Sequence, residues 1–179
     1  MPQFLRVLQQ QRWMDLQHDW LGEDEIPADP VGDLRTTDNK MSVWMLAEES
    51  LNLPRIVSAL GANRDKLDKL DLALLDSDEL SAIGIQTRQS EGDSADEMLN
   101  RSFHYDLVEI SADKLVNLAK AIIRANRFER VQREDVKRYI ACAVKNGWVQ
   151  EDALRLKSDE IKKVRQFLDT DNAQGGTHD

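Results

Sequence analysis

The sequence predicts an α+β protein that is predominantly α-helical, with short N-terminal strands and a long amphipathic helix packed on a C-terminal three-helix part. Two patterns lead to this prediction. Apolar residues recur at helical spacing through much of the chain, and only short segments near the N-terminus combine apolar runs with β-branched or aromatic residues. The chain has 179 residues, 41% hydrophobic and 32% charged. This is the composition of a globular protein that can bury a core.

We expect residues 1–168 to form one compact unit and residues 169–179 to form a disordered tail. Within the unit, charge separates an acidic α+β part (1–110) from a basic helical part (111–168). Residues 1–110 hold 10 Lys and Arg against 22 Asp and Glu, a balance of −12, whereas residues 111–165 hold 14 against 8, a balance of +6. The sequence shows no internal repeat.

The N-terminal region contains two candidate strands separated by a loop. Phe4–Leu8 is apolar except for Arg6 and is typical of a strand or a first helical turn. Residues 22–39 hold two prolines, two glycines and many acids, which predicts a loop. Met41–Leu46 is short and apolar and follows Asp38-Asn39, a turn signal, so we expect a buried strand there.

The middle of the chain is predicted to be mainly helix and loop. A long amphipathic helix begins near Pro54, bends near Gly61 and carries an apolar stripe of Ile56, Val57, Leu60, Leu67, Leu70 and Leu74. A short helix follows from about Ser77 to Gly84, and the polar composition of residues 86–102 indicates a surface loop. Phe103–Leu107 alternates apolar and polar residues, as a short strand does.

The C-terminal third is predicted to hold three helices. The first begins after Ser111, a favourable N-cap, and ends near Asn126; the second covers about 133–146 and the third about 158–168. Five residues on the predicted apolar stripes should be buried: Leu60, Leu70, Leu118, Ile122 and Ile140. The single cysteine, Cys142, is expected to be a small core residue.

Several kinds of functional site are not indicated by the sequence. One cysteine cannot form an internal disulfide or a cysteine-rich zinc site, and no glycine-rich phosphate loop or nucleophile elbow occurs. The acids at 23–25, with Asp29 and Asp33, lack the spacing of a calcium-binding loop, so a solvated loop is expected. We therefore predict no cofactor and no metal site. The four tryptophans are interpreted as core or rim anchors.

The three histidines are His18, His104 and His178. His104 and Asp106 would project from one face of a strand, as a catalytic acid and base could. A pair this short is more typical of a surface or locally hydrogen-bonded arrangement, so catalysis through His104 and Asp106 is kept as an alternative.

Basic residues cluster around the end of one C-terminal helix and the start of the next: Arg124, Arg127, Arg130, Arg133, Lys137 and Arg138. We predict that this set docks an acidic protein partner, and that reversing Arg127, Arg130 and Arg133 would leave folding intact. The spacing also suits a helix-turn-helix or winged-helix module that contacts phosphates. A third interpretation is that this surface packs on the acidic N-terminal part of the same chain.

The resulting functional hypothesis is a non-enzymatic accessory or binding protein that acts through a protein partner. The alternatives are a nucleic-acid-binding regulator and a small enzyme that uses His104 and Asp106. The longest charge-free apolar run, 41–47, is far shorter than the ~20 residues of a membrane-spanning helix. No signal peptide is evident, so a cytoplasmic location without membrane association is expected. A homo-oligomer is compatible with the sequence.

Overall fold

The computed structural model describes residues 2–13, 16, 19–47 and 52–174, with the side chains of residue 10 and of residues 168–174 excepted. His18, His178, the side chain of Leu168 and the last five residues of the predicted tail lie outside this description. The described part is a mixed structure of helices and one antiparallel sheet.

Six strands form one fully antiparallel sheet. They are β1 (Gln3–Leu8), β2 (Met41–Leu46), β3 (Leu70–Asp76), β4 (Gln86–Gln89), β5 (His104–Val108) and β6 (Phe128–Val131). Their order across the sheet is β4-β5-β2-β1-β3-β6, so the first two strands of the chain lie at its centre. Antiparallel sheets covered on both faces need strands with apolar side chains on both sides. The inner strands β1, β2 and β3 have this character.

Helices cover both faces of the sheet. They are α1 (Ala28–Asp33), α2 (Leu53–Ala62), α3 (Ser77–Ala82), α4 (Glu97–Ser102), α5 (Ala112–Ala125), α6 (Arg133–Lys145) and α7 (Ser158–Gln174). On one face, α2, α6 and α7 pack over a core that contains Leu5, Leu72 and Ile140. On the other, α1, α3 and α5 enclose a second core around Phe4, Val43 and Leu118. The sheet therefore separates two hydrophobic cores.

The prediction of a predominantly helical fold is wrong, and the main error lies between residues 54 and 76. The predicted long helix is in fact the ten-residue α2 followed by β3, the strand next to β1. In β3, Leu70 and Leu72 are fully buried in one core and Leu75 is buried in the other, while Leu74 is partly buried. A strand that is covered on both faces does not show the apolar–polar alternation that identifies a half-exposed strand. Its leucines can therefore also be read as the apolar stripe of a helix.

Smaller elements also differ from the prediction. Residues 22–39 contain α1, residues 86–102 contain β4 and α4, and the segment between α5 and α6 is the edge strand β6. Cys142 is exposed, which corrects its assignment to the core, and its Sγ lies 3.2 Å from Asn146 Nδ2. Four of the five predicted core residues are buried, whereas Leu60 is only partly buried.

Other local predictions are confirmed. The strands β1, β2 and β5 form where expected, and the Asp38-Asn39 turn has both residues in the left-handed region. The Ser111 hydroxyl accepts a hydrogen bond from the Lys114 N–H and caps α5, which Asn126 ends with a φ of 48°.

The C-terminal helix is longer than expected. Helix α7 continues to Gln174, six residues into the segment expected to be a disordered tail.

The two central strands, β1 and β2, are paired at one end and separate toward the other. Strands β1 and β2 pair only from Gln3–Leu46 to Leu5–Trp44, although both continue beyond that point. Beyond the last pair, the Arg6 guanidinium donates a hydrogen bond from Nη1 to the Ser42 carbonyl at 2.8 Å. A side chain thus replaces the missing ladder contact and leaves a gap between the two central strands.

Candidate functional site

The predicted basic docking set is largely neutralised within the chain. Arg127 pairs with Asp76 and Glu79, Arg130 with Asp71, Arg133 with Glu160, Lys137 with Glu134, and Arg138 with Asp135. Hydrogen bonds from Arg127 and Gln3 outweigh the opposing effect of partial burial and keep the pKa of Asp76 below its usual value. Within the described part of the chain, only Arg124 of this set lacks a carboxylate partner. This surface therefore offers few free cations to a partner, and its role in docking stays a prediction.

The same region does not have the geometry of a helix-turn-helix. The segment that joins α5 to α6 contains β6, which pairs with β3 at the edge of the sheet. In that position Arg130 lies directly opposite Asp71, and its Nε donates to the Asp71 carboxylate at 2.6 Å. The basic part thus packs on the acidic part of the same chain, which was the third interpretation of the charge pattern.

His104 and Asp106 lie on β5 and face the same side of the sheet, as predicted for a strand. His104 is buried, its Nδ1 is 2.9 Å from the Ser90 hydroxyl, and its ring packs edge-on against Trp44 at 4.9 Å. Burial lowers the pKa of His104, and Asp106 and Ser90 oppose this effect only in part. The Asp106 carboxylate instead accepts a long hydrogen bond of 3.4 Å from the Ser42 hydroxyl.

The acidic segment before β2 contains one residue with a defined structural role. Asp33 is buried, and its Oδ2 accepts hydrogen bonds from the Gln9 N–H at 2.7 Å and from Trp13 Nε1 at 2.8 Å. The described residues contain no group of three or more histidine, cysteine or acidic side chains arranged to hold a metal ion. They also contain no helix that is long and apolar enough to span a membrane.

The candidate functional site is a cleft at the gap between β1 and β2. Its volume is about 500 Å³, within the range that holds small organic ligands. Polar and apolar side chains line it together: Arg6, Val7, Leu8, Gln9, Asp33, Arg35, Ser42, Trp44, Leu60, Asn63, Arg64, Asp93, Ser94 and His104. We refer to this feature as the central cleft.

Three arginines reach the central cleft from three different parts of the chain. Arg6 lies on β1, Arg35 follows α1, and Arg64 follows α2. Burial lowers the pKa of Arg6, and Asp33 offsets this only in part. Burial also lowers the pKa of Arg64, against smaller effects of Asp68 and Asp71. Such desolvated charged groups in a cavity are typical of functional sites.

One wall of the cleft is a tightly packed loop that precedes α4. Asn100 Oδ1 accepts hydrogen bonds from the Ser94 N–H and hydroxyl at 2.9 and 2.7 Å, which fixes Ser94 beside the cleft. Gly92 leaves no room for a side chain, because a Cβ there would lie 2.9 Å from Asn100 Oδ1 and 3.0 Å from atoms of both His104 and Trp44. The wall is therefore tightly packed and hydrogen-bonded.

One signal of this site is present in the sequence. Arg6 interrupts the apolar run Phe4–Leu8, and a charge inside a central strand requires a special environment. No local pattern connects Arg6 with Arg35 or Arg64, because these three residues meet only through the order of the strands. Of the pair kept as a catalytic alternative, His104 lines the cleft and Asp106 does not, and no residue of the predicted docking set lines it.

A second surface feature lies beside α4. Two of the three exposed large hydrophobic side chains in the described part, Met98 and Trp148, line a groove of about 460 Å³. The Arg55 guanidinium lies 4.9 Å from the centre of the Trp148 ring and also pairs with the buried carboxylate of Asp96. Arg55 therefore links the exposed Trp148 ring to Asp96, which caps α4.

The central cleft and this groove differ in what they can bind. The cleft can enclose a small molecule and hydrogen-bond it from several sides, whereas the groove presents an aromatic ring and a thioether to a larger surface. Comparisons with protein-family models, with curated proteins and with solved structures find no match for this chain.

Proposed function

We propose that the protein is a non-enzymatic binding protein and that its central cleft holds a small ligand. The observation that carries this proposal is the gap between β1 and β2, which leaves about 500 Å³ lined by both polar and apolar side chains at the centre of an otherwise packed sheet. Folding normally closes such a gap, because each unpaired strand position forfeits backbone hydrogen bonds. A binding site accounts for a gap kept open in this way.

The contacts of the titratable groups support binding rather than catalysis. A general base must lie within hydrogen-bond reach of the group that it activates or that orients it. His104 Nδ1 is engaged by the Ser90 hydroxyl, and Asp106 contacts Ser42 rather than His104. Asp33 already accepts two N–H donors through the same oxygen. The Ser90 hydroxyl and His104 Nδ1 do form a hydroxyl–imidazole contact, but Ser90 does not line the central cleft and Asp106 does not orient the imidazole as a third catalytic group would.

The test is to fill the cleft and follow ligand retention. Leu60 is partly buried and lines the cleft, so Leu60→Trp should occupy its volume, whereas Asn117→Trp places the same ring on the exposed side of α5 as a control. Native mass spectrometry of protein purified from its host without denaturation should show a bound small molecule in wild type and in Asn117→Trp only. Equal retention by folded Leu60→Trp would show that the cleft is not the site.

A second candidate function is docking of a protein partner on the groove beside α4 that Met98 and Trp148 line. Trp, Met and Arg are enriched at the centres of interfaces, and Arg55, Met98 and Trp148 combine all three at one groove. In an affinity purification, Trp148→Ser should lose a partner that wild type and Arg124→Gln both retain. Recovery of every partner by Trp148→Ser would remove the groove from consideration.

A further inference from the structure

The ion pairs of this protein are distributed unevenly among its arginines. Of 14 arginines, eight pair with carboxylates in the described part of the chain: Arg55, Arg101, Arg127, Arg130, Arg133, Arg138, Arg155 and Arg165. Six form no ion pair there, and three of these six, Arg6, Arg35 and Arg64, line the central cleft. The cleft therefore concentrates cations whose charge the described part of the chain does not neutralise by direct pairing.

Arg6 is the most constrained of the three. Its Nη1 donates to the Ser42 carbonyl, but its Nε is buried without an acceptor. Among the described residues, Arg6 Nε is the only buried side-chain nitrogen or oxygen atom without a hydrogen-bond partner. A buried unsatisfied donor costs free energy, and more so on a charged group. An acceptor supplied by a ligand would remove this cost.

Arg64 is also incompletely satisfied. Its Nη1 has one acceptor, the Lys69 carbonyl, at the long distance of 3.5 Å. Asp71, which acts on Arg64 electrostatically, instead accepts the hydrogen bond from Arg130 Nε. A guanidinium carries five N–H donors, so Arg64 keeps donors available toward the cleft.

The charge balance of the cleft favours an anion. Three arginines of the lining face two carboxylates, Asp33 and Asp93, and the exposed Asp93 also pairs with Arg155 at 3.4 Å. His104 is neutral near pH 7 because burial lowers its pKa. The lining thus has one positive charge in excess, and Arg155 adds a further positive charge beside Asp93, on a chain whose formal net charge is −9. The local field, and not the net charge, decides what enters a cleft.

The arrangement of the arginines favours a phosphate group over a carboxylate. Arg6, Arg35 and Arg64 come from three separate parts of the chain, namely β1, the segment after α1 and the segment after α2. A tetrahedral phosphate offers three terminal oxygens in different directions, whereas a carboxylate offers two oxygens in one plane. The cleft is much larger than a phosphate ion and continues past Leu60 and Trp44. The remaining volume would hold the organic body of the ligand.

We propose that the central cleft binds a phosphorylated small molecule, a phosphate monoester whose phosphate is held by Arg6, Arg35 and Arg64. This inference rests on the proposed function, because it specifies the ligand of the same cleft. In this proposal the three arginines select the ligand by its phosphate, and the polar wall around Ser94 contacts the organic part of the ligand.

The experiment uses inorganic phosphate as the probe, in isothermal titration calorimetry and thermal unfolding of the full chain against chloride at matched ionic strength. Wild type should bind phosphate and unfold at a higher temperature in its presence. Arg6→Gln and Arg64→Gln should each weaken phosphate binding about tenfold or more, since each removes hydrogen bonds to a charged group. Arg35→Gln, at an exposed position, gives a third variant that tests the subsite if Arg6→Gln does not fold.

The matched control is Arg124→Gln. It changes an exposed arginine outside the cleft that forms no ion pair with the described residues, and this variant should bind phosphate as wild type does. No phosphate binding by wild type, or undiminished binding by the cleft variants, would overturn the inference. Retention of an uncharged molecule by wild type but not by Leu60→Trp would refute the phosphate ligand and leave the proposed function standing. Retention that is insensitive to Leu60→Trp would instead refute the cleft as the site.

Discussion

At the scale of single residues, Gly92 determines how closely the cleft wall approaches the sheet. Its place among Asn100, His104 and Trp44 allows no Cβ, and the nearest atoms belong to buried or hydrogen-bonded groups that cannot move freely. The Gly92 N–H donates to the Asn100 carbonyl at 3.1 Å and ties the loop to α4. The shape of the cleft thus depends on a residue without a side chain.

Gly92→Ala should lower the free energy of unfolding by about 1–3 kcal/mol, because an extra methyl group in a packed site forces its neighbours to shift. Gly32→Ala is the control: it lies in α1, and no atom lies within 4 Å of the position that its Cβ would take. This change should be neutral or stabilising by up to about 1 kcal/mol. Urea unfolding of both variants measures the difference. Equal stability of the two would show that the wall is not tightly packed.

His104 should make stability depend on pH. Burial lowers its pKa in the folded protein, so the unfolded chain, with a pKa of about 6.5, binds the proton first as pH falls. The contribution of His104 is therefore complete above about pH 6.5 and is lost progressively as pH falls from there toward the folded pKa.

The measurement is the free energy of unfolding of wild type and of His104→Asn between about pH 7.5 and pH 5. The difference between the two proteins cancels the titration of the carboxylates. Wild type should lose more stability than the variant across this range. Parallel curves would indicate that His104 is as solvated in the native protein as in the unfolded chain.

At the scale of elements, the contact between α2 and α6 depends on a glycine in the helix. A Cβ on Gly61 would lie 2.8 Å from Val136 Cγ1 and 3.0 Å from Ile140 Cδ1, and both of those residues are buried. The two helices can approach this closely only because Gly61 has no side chain. The sequence pattern predicts a bend at Gly61 within one long helix, whereas α2 ends one residue later at Ala62.

Gly61→Ala should destabilise the protein by about 1–3 kcal/mol through overpacking, despite the higher helix propensity of alanine. Val136→Ala removes the methyl groups that the new Cβ would meet. The double variant should therefore be more stable than the sum of the two single changes predicts, with a coupling of about 0.5–3 kcal/mol. Additive effects in chemical unfolding would mean that the helices simply move apart.

Elements are predicted well where a cap or turn residue marks them and poorly where burial on both faces removes the polar contrast. Ser111, Asn126 and the Asp38-Asn39 turn mark the correct boundaries for α5 and β2. The apolar residues of β3 also fit the spacing of a helix, because the strand is buried on both faces and does not alternate between apolar and polar residues. Strand β6 escapes prediction because its four residues carry two charges and pair with β3 over a long sequence separation.

At the scale of the whole molecule, the opposed charges of the two parts of the chain are resolved by strand order. Placing β6 beside β3 brings Arg127 and Arg130 of the basic part next to Asp76 and Asp71 of the acidic part. Local sequence shows the charge asymmetry but not which acids the arginines pair with, because Asp76 and Asp71 are more than 50 residues from Arg127 and Arg130. The central cleft escaped prediction for the same reason.

These pairs change the outcome expected for reversing Arg127, Arg130 and Arg133 to glutamate. Each new carboxylate would face existing ones, namely Asp76 and Glu79, Asp71, and the largely buried Glu160. Glu160 would keep Lys163 as a partner at 2.8 Å but lose Arg133. We therefore expect the triple reversal to lower the unfolding midpoint in urea, and not to leave folding intact as the sequence alone suggested.

Two comparisons separate this effect from a general change of net charge. Arg124→Glu reverses an exposed arginine that pairs with no carboxylate in the described part of the chain, so it should leave the midpoint close to that of wild type. Adding Asp71→Arg to Arg130→Glu restores an opposite-charge pair between β3 and β6 and should recover part of the lost stability. High salt should narrow the gap between wild type and the triple reversal, because it screens exposed charges. A triple reversal that unfolds at the wild-type urea concentration would show that strand pairing and core packing alone hold β6 against β3.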